Sequence, residues 1–250
     1  MEAIKTISSQ LEAIRLKGEA RKQHCDIHQI GYIYSCSECD SERREAINKH
    51  HNTVMLLSQS GIRPRFTSAN FSNFKAQNAN DELNLEIAKN YVQKFQLIKQ
   101  QGTNLVMHGG TGTGKNYLAV CMMKELIEKF AAKVKILTAY NLIHSINETY
   151  SANNTKTERQ IKNAYLEYDF LVIDEFDINR GSDSDNLQLF DVINRRYEEM
   201  LPTAIISNLD RDKLIQKVGQ RVMSRLLDGS LTMKFAGNDR RQFQVIGDLL

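Results

Sequence analysis

No run in this 250-residue sequence approaches the roughly 18 consecutive apolar residues that a bilayer-spanning helix needs. The opening segment, MEAIKTISSQLEAIRLKGEARKQ, lacks the apolar core of a secretory signal, so a soluble, cytoplasmic protein is expected. No internal repeat or low-complexity tract interrupts the chain. Only two prolines occur, and one of them, Pro64, lies in the turn-rich joint Ser58-Gln59-Ser60-Gly61-Ile62-Arg63-Pro64. The net charge of +3 is too small to argue for a nucleic-acid partner by itself. Its distribution is less even: residues 1–60 hold eight basic and eight acidic side chains, whereas residues 211–241 hold eight basic against three acidic ones.

The joint at Ser58–Pro64 separates two textures. Before it come a charged helical start, a cysteine cluster and a polar helix running to about Leu57. Beyond it, strand-like runs at 104–108, 134–139, 169–174, 203–207 and 231–236 alternate with helical patterns at 81–100, 115–130, 140–150, 157–167 and 186–200. The alternation predicts an α/β domain with a five-stranded parallel sheet and helices on both faces, the last strand at an edge. We place the boundary near residue 61, giving a small module at 1–60 and the α/β domain at 61–250.

The most specific segment is Gly109-Gly110-Thr111-Gly112-Thr113-Gly114-Lys115-Asn116. It follows a short buried strand and opens a helix with apolar residues at Leu118, Met122, Leu126 and Phe130. This is the order of a phosphate-binding loop, whose backbone N–H groups cradle phosphates while Lys115 reaches the β- and γ-phosphates. The last position normally carries Ser or Thr; Asn116 replaces that hydroxyl with an amide whose carbonyl oxygen can still coordinate Mg²⁺. Tyr117 completes the candidate nucleotide-binding stretch. The run Phe170-Leu171-Val172-Ile173-Asp174-Glu175 then reads as a buried strand delivering two carboxylates. Asp174 would hold Mg²⁺, directly or through water, and Glu175, projecting to the opposite side, would orient or deprotonate the attacking water. A further strand, Thr203–Ser207, ends at Asn208, which could meet the γ-phosphate or the lytic water, or cap the next helix. Arg221 and Arg225 fall four residues apart on one helical face, and Arg240 and Arg241 follow the last strand. Their planar, permanently charged forks suit phosphate, although each alone reads as a surface ion-pair residue.

Toward the amino end, Cys25-x₂-His28-x₇-Cys36-x₂-Cys39 supplies two ligand pairs with gaps that let both members reach one ion. A tetrahedral Zn²⁺ with three Cys and one His is the natural occupant, with His24 a possible substitute for His28. Disulfides are the competing account, and a cytosolic protein keeps its thiols reduced. The module has few large apolar residues, so its folding would depend on the metal.

Taken in order, Ser60-Gly61-Ile62-Arg63-Pro64 with Phe71-Ser72-Asn73-Phe74, Gly112-Thr113-Gly114-Lys115-Asn116, Val172-Ile173-Asp174-Glu175 and Gln220-Arg221-Val222-Met223-Ser224-Arg225 resemble the AAA+ ATPases. Within them they resemble the DnaC-type replicative helicase loaders, including prophage versions. The likeness covers residues 58–241, and the Asn ending of the phosphate loop is a feature of that loader group. The resemblance implies an AAA+ P-loop ATPase preceded by a zinc-binding module that grips the helicase. It implies ATP, Mg²⁺ and Zn²⁺ as cofactors, and a weak ATPase stimulated by DNA or a partner. The implied partners are a hexameric DnaB-type helicase and single-stranded DNA, with self-association through the ATP sites. Residue by residue, it implies Asn208 as first sensor, Arg225 as the arginine finger with Arg221 beside it, and Arg241 as second sensor. Asp239 and Arg240 stand where family members carry a small and an aromatic residue, so the register also admits Arg240. Tyr140–Tyr150 resembles the insertion that contacts single-stranded DNA in these loaders, against the commoner fate of such aromatics as core. Two other classes share parts of this pattern: the IstB-type transposition-associated ATPases, and a DNA-binding adaptor in which nucleotide is a static ligand.

Overall fold

The computed structural model describes residues 23–32, 36–151, 155–177 and 183–240. The charged helical start expected before residue 23 lies outside the described residues, as do the side chain of His24 and all of Arg241. Contacts divide the chain into two compact units, Met1–Val54 and Met55–Leu250, a few residues before the joint that the sequence marks.

In the first unit a two-residue pairing of β1 (Gln23–His24) with β2 (Gly31–Tyr32) folds the segment between Cys25 and Ile30 into a turn. Helix α1 (Ser37–Gln59) follows. None of its residues is buried, consistent with its polar composition.

The second unit holds the expected sheet. Its strands are β3 (Leu105–Gly109), β4 (Val134–Thr138), β5 (Phe170–Asp174), β6 (Thr203–Ser207) and β7 (Leu231–Phe235). They are all parallel, in the order β4-β5-β6-β3-β7. Strand alternation sends Leu105, Met107, Val172, Ala204 and Ile206 to one core and Val106, Leu171, Ile173 and Ile205 to another, so both faces are covered. The first core takes helices α2 (Ala79–Gln93), α3 (Phe95–Gln101) and α4 (Lys115–Phe130). The second takes α5 (Ala139–Asn147), α7 (Asp183–Glu198), α8 (Arg211–Val218) and α9 (Gln220–Leu227). The short α6 (Glu158–Ala164) stands against α5 and opens with a capping box between Thr157 and Gln160.

Where the structure departs from the sequence reading, local packing decides. The single helix expected over 81–100 breaks at Lys94, and Phe95, almost wholly buried, meets the Phe130 ring at 5.6 Å. Helix α8, the helix after Asn208, buries Leu214 and Val218, and Asp210 caps it by accepting from the Lys213 N–H. At the sheet edge, Ser60 accepts from the Ile136 N–H at 2.8 Å, and a Cβ on Gly61 would sit 2.4 Å from the Ile136 carbonyl oxygen. The joint thus covers the exposed edge of β4, and only glycine permits the approach at φ +79°.

Arg196 on α7 has no exposed surface. Its guanidinium donates to Thr203 Oγ1 at 2.9 Å and to the carbonyls of Tyr165 (2.5 Å), Tyr168 (3.1 Å) and Pro202 (2.8 Å). Burial pushes its pKa down to about 9, so it remains charged at neutral pH and clamps the amino ends of β5 and β6 to α7. Arg196→Met fills a similar volume but strands those acceptors; it should cost about 3 kcal/mol or more, read as a lower denaturation midpoint with unchanged slope.

Candidate functional site

Four of the five parallel strands deliver groups to one cleft of about 530 Å³ at their carboxyl ends, where open α/β sheets bind ligands. The loop after β3 supplies Thr111 through Asn116, the end of β5 supplies Asp174 and Glu175, the end of β6 supplies Asn208, and the segment after β7 supplies Arg240. Tyr117 lines the same cleft, its ring 6.0 Å from that of Phe74.

The phosphate loop has the backbone its glycines permit. Gly109, Gly112 and Gly114 have φ values of +130°, +72° and +101°, where a side chain would be strained. Gly109 passes so close to β7 that a Cβ would fall 1.9 Å from the Phe235 oxygen. Thr113 Oγ1 donates to the Gly110 carbonyl at 2.8 Å and pins the loop. Helix α4 begins at Lys115 with no side-chain cap and no acidic residue in its first turn, leaving its positive end toward the cleft. Lys115 Nζ donates to the carbonyls of Gly109 (2.7 Å) and Gly110 (2.6 Å), folded along the loop it would leave to meet a phosphate.

Asp174 is buried at the end of β5, and its two oxygens are separately engaged. One accepts from the Asn116 amide at 2.7 Å, the other from the Glu175 backbone N–H at 2.8 Å. Two residues 58 positions apart, expected to share a metal ion, are therefore in direct contact. Glu175 does not continue the strand alternation: β5 stops at Asp174, and Glu175 adopts φ +51°. Its side chain lines the same cleft as Asp174 instead of taking the opposite side, and the left-handed turn is the reason. Asn208 does not cap α8, since Asp210 does. Its N–H donates to Asp177 Oδ1 at 3.1 Å.

Sequence spacing gives no sign of several cleft residues. Arg63, Arg65 and Lys75 arrive from the irregular stretch before α2, where no periodicity fixes a direction. With Lys115 and Arg240 they make five cations facing Asp174 and Glu175, a surplus suited to a polyphosphate. Arg240 bonds the buried carboxylate of Asp81, donates to the Lys75 carbonyl at 2.8 Å and stacks over the Phe74 ring at 5.1 Å. Its backbone N–H meets the Gly112 carbonyl at 2.9 Å, so the segment after β7 lies across the phosphate loop. His108, on β3, is pushed below its ordinary pKa by burial and then by Lys234.

The structure does not bring Arg221 and Arg225 into this cleft. They line a separate groove with Phe190, Gln220 and Ser224 on α7 and α9. Tyr140 and Tyr150 are not core: they are 50% and 68% exposed. Tyr140 stacks on His144 at 5.6 Å, and Tyr150 donates to Glu158 at 2.6 Å.

In the first unit the ligand atoms of Cys25, His28, Cys36 and Cys39 all lie within 4.8 Å of one another, and all three thiols are free of disulfides. The Cys25–Cys39 sulfurs are 3.6 Å apart, and His28 Nδ1 lies 3.6, 3.7 and 3.4 Å from the sulfurs of Cys25, Cys36 and Cys39. A tetrahedral zinc with bonds of about 2.3 Å to sulfur and about 2.0 Å to nitrogen has edges of about 3.8 and 3.6 Å, so the donor set fits. His28 Nε2 is paired with Glu42 at 3.1 Å, which directs Nδ1 inward. The His28 N–H, donating to Cys25 Sγ at 3.4 Å, leads in holding that thiol low, to about 6. Cysteine Cys121 stands apart, buried on α4.

No described helix is long and apolar enough to cross a membrane. Among curated proteins, the replicative helicase loader DnaC of Buchnera aphidicola subsp. Schizaphis graminum is 29% identical over 202 residues, 80% of each chain. The DnaC of Escherichia coli K12 is 27% identical over 191 residues, 75% of this chain and 76% of that one. A crystal structure of the DnaC helicase loader shares the fold, with a TM-score of 0.63 at 22% identity over 70% of this chain and all of the other. The five-stranded parallel α/β sheet read from the strand pattern is the one observed, and the AAA+ fold implied by the resemblance is the fold shared with that structure. The profile of the family described as IstB-like ATP binding protein matches residues 45–236, which span the phosphate loop, both carboxylates and the arginine helix, and this chain belongs to that family.

Proposed function

We propose that this chain is an ATP-controlled loader that binds a hexameric replicative helicase and delivers it to single-stranded DNA. The observation that carries the reading is the convergence of Lys115, Asn116, Asp174, Glu175 and Asn208 on one cationic cleft, in a chain whose relatives over three quarters of their length bear the loader name. Lys115 would exchange its two loop carbonyls for phosphate oxygens, and the uncapped first turn of α4 would receive them. Asn116 and Asp174 are the residues to hold Mg²⁺, which when bound neutralises charge on the β- and γ-phosphates. Glu175 would take the proton of the attacking water, with Asn208 beside it. Arg241, or Arg240 one register earlier, which lines the cleft, would act as second sensor, and Arg225, with Arg221 beside it, would complete the site of a neighbouring copy. The exposed Tyr140 and Tyr150 would stack on bases. The unit before the joint would dock the helicase.

The test is co-purification with a replicative helicase. A stoichiometric complex is expected. Its absence, with binding to a transposase in its place, would move the chain to the transposition-associated reading.

The metal expectation is separate. Protein purified without chelator should contain about one Zn²⁺ per chain, lost when Cys36 and Cys39 are replaced by Ser. Metal-free wild-type protein that keeps its fold would refute it.

A further inference from the structure

Arg225 is held by two residues of α7 for which no role is yet assigned. Its Nε donates to Asn194 Oδ1 at 3.0 Å, and its guanidinium carbon lies 5.0 Å from the centre of the Tyr197 ring. Asn194 and Tyr197 are one turn apart on α7 and so present one face to α9. From this geometry we infer that Asn194 and Tyr197 are positioning residues for the Arg225 guanidinium; the inference rests on the reading of Arg225 as the group that completes a neighbour's ATP site.

Both partners restrain the arginine without cancelling its charge. An arginine side chain carries large rotamer entropy, and freezing it at the moment of assembly would weaken its contact with phosphate. A carboxylate would freeze it too, but as an ion pair that must be broken before the guanidinium can meet a phosphate. Here the acceptor is a neutral amide and the platform a ring. The amide is itself oriented, since Asn194 Nδ2 donates to Glu198 Oε1 at 2.8 Å, which turns Oδ1 toward Arg225. The nearby acid at the end of α9, Asp228, accepts from the Tyr197 hydroxyl, and no ion pair to Arg225 occurs among the described residues. The amide takes Nε, and the guanidinium lines the groove with Arg221, Gln220 and Ser224. Between the two positioning residues, the buried Arg196 clamps α7 to the sheet, so the platform is rigid.

The experiment is steady-state ATP turnover of the full chain, with and without oligo-dT, for Asn194→Ala and Tyr197→Leu, each alone and combined with Arg225→Ala. Fluorescent-nucleotide affinity and thermal midpoint are measured on every variant. Each single change should lower kcat by about 5- to 20-fold with KM, nucleotide affinity and midpoint little changed, as loss of a charge-assisted hydrogen bond or a cation–π contact allows. In the Arg225→Ala background neither change should lower kcat further, because both act through that guanidinium. Wild-type kcat in both single variants, beside a slow Arg225→Ala, would overturn the positioning role alone. An undiminished loss on top of Arg225→Ala would overturn it as well, showing a structural effect on α7. Full turnover in Arg225→Ala would refute the finger reading and the inference with it.

Discussion

Glu175→Gln protein will bind ATP as the native chain does and lose nearly all hydrolysis, whereas Lys115→Ala protein will lose nearly all ATP binding. The two outcomes differ because the residues act on different parts of one cleft. Lys115 is the cation at the floor of the phosphate loop, bonded to two of its carbonyls; without it, the loop keeps its shape through Thr113 and Gly110 but lacks the charge that offsets the phosphates. A loss of at least about 100-fold in affinity is expected, measured by titration with a fluorescent nucleotide. Glu175's backbone N–H, which the substitution keeps, is what bonds Asp174. Glutamine preserves shape and left-handed backbone while removing the basic oxygen, so turnover should fall by about 10²- to 10⁴-fold at unchanged affinity. Normal hydrolysis by Glu175→Gln would remove the water-activating role from that residue.

Much of this arrangement is legible in the sequence because parallel strands buried on both faces are short apolar runs, and these runs end in the polar groups that serve the cleft. Phe170–Asp174 and Thr203–Ser207 show it: apolar positions fill both cores, and Asp174 and Asn208 follow at the carboxyl ends. The phosphate loop is legible for a different reason, since its function is carried by backbone geometry that only glycine supplies at those positions. Ligand spacing in the first unit is equally local. Contacts made by irregular segments are not. Nothing in the spacing of Arg63, Arg65 or Lys75 brings them to the phosphates, and the placing of Arg240 depends on a carboxylate, Asp81, lying 159 residues away. Glu175 illustrates the limit within an element: alternation sends it across the sheet, but one left-handed residue at the strand end returns it to the cleft. Asn194 and Tyr197 are likewise hidden, because a helix pattern says which face is apolar and not which polar face meets another helix.

Mixing two inactive variants, Arg225→Ala and Lys115→Ala, should restore partial ATP turnover. The expectation follows from where the chain puts its two phosphate-seeking groups. Lys115 lies in the cleft at the carboxyl ends of the strands, whereas Arg225 lines a different groove, between α7 and α9, and does not reach that cleft in its own chain. If ATP held by one copy is completed by the arginine of the next, each pure variant lacks one half of every interface. A mixed assembly contains interfaces where an intact loop from the Arg225→Ala chain meets an intact arginine from the Lys115→Ala chain. With random pairing at equal amounts, about one interface in four is whole, so turnover should approach a quarter of the native rate, against a loss of about 10³-fold or more where an arginine finger is removed. The Arg225→Ala chain alone should keep its ATP affinity, since nothing in its own cleft has changed. The readout is hydrolysis against mixing ratio, with co-assembly checked by sedimentation, and the curve should peak at intermediate ratios. A flat curve from two folded, co-assembled variants would place Arg225 in its own subunit's site or outside the reaction.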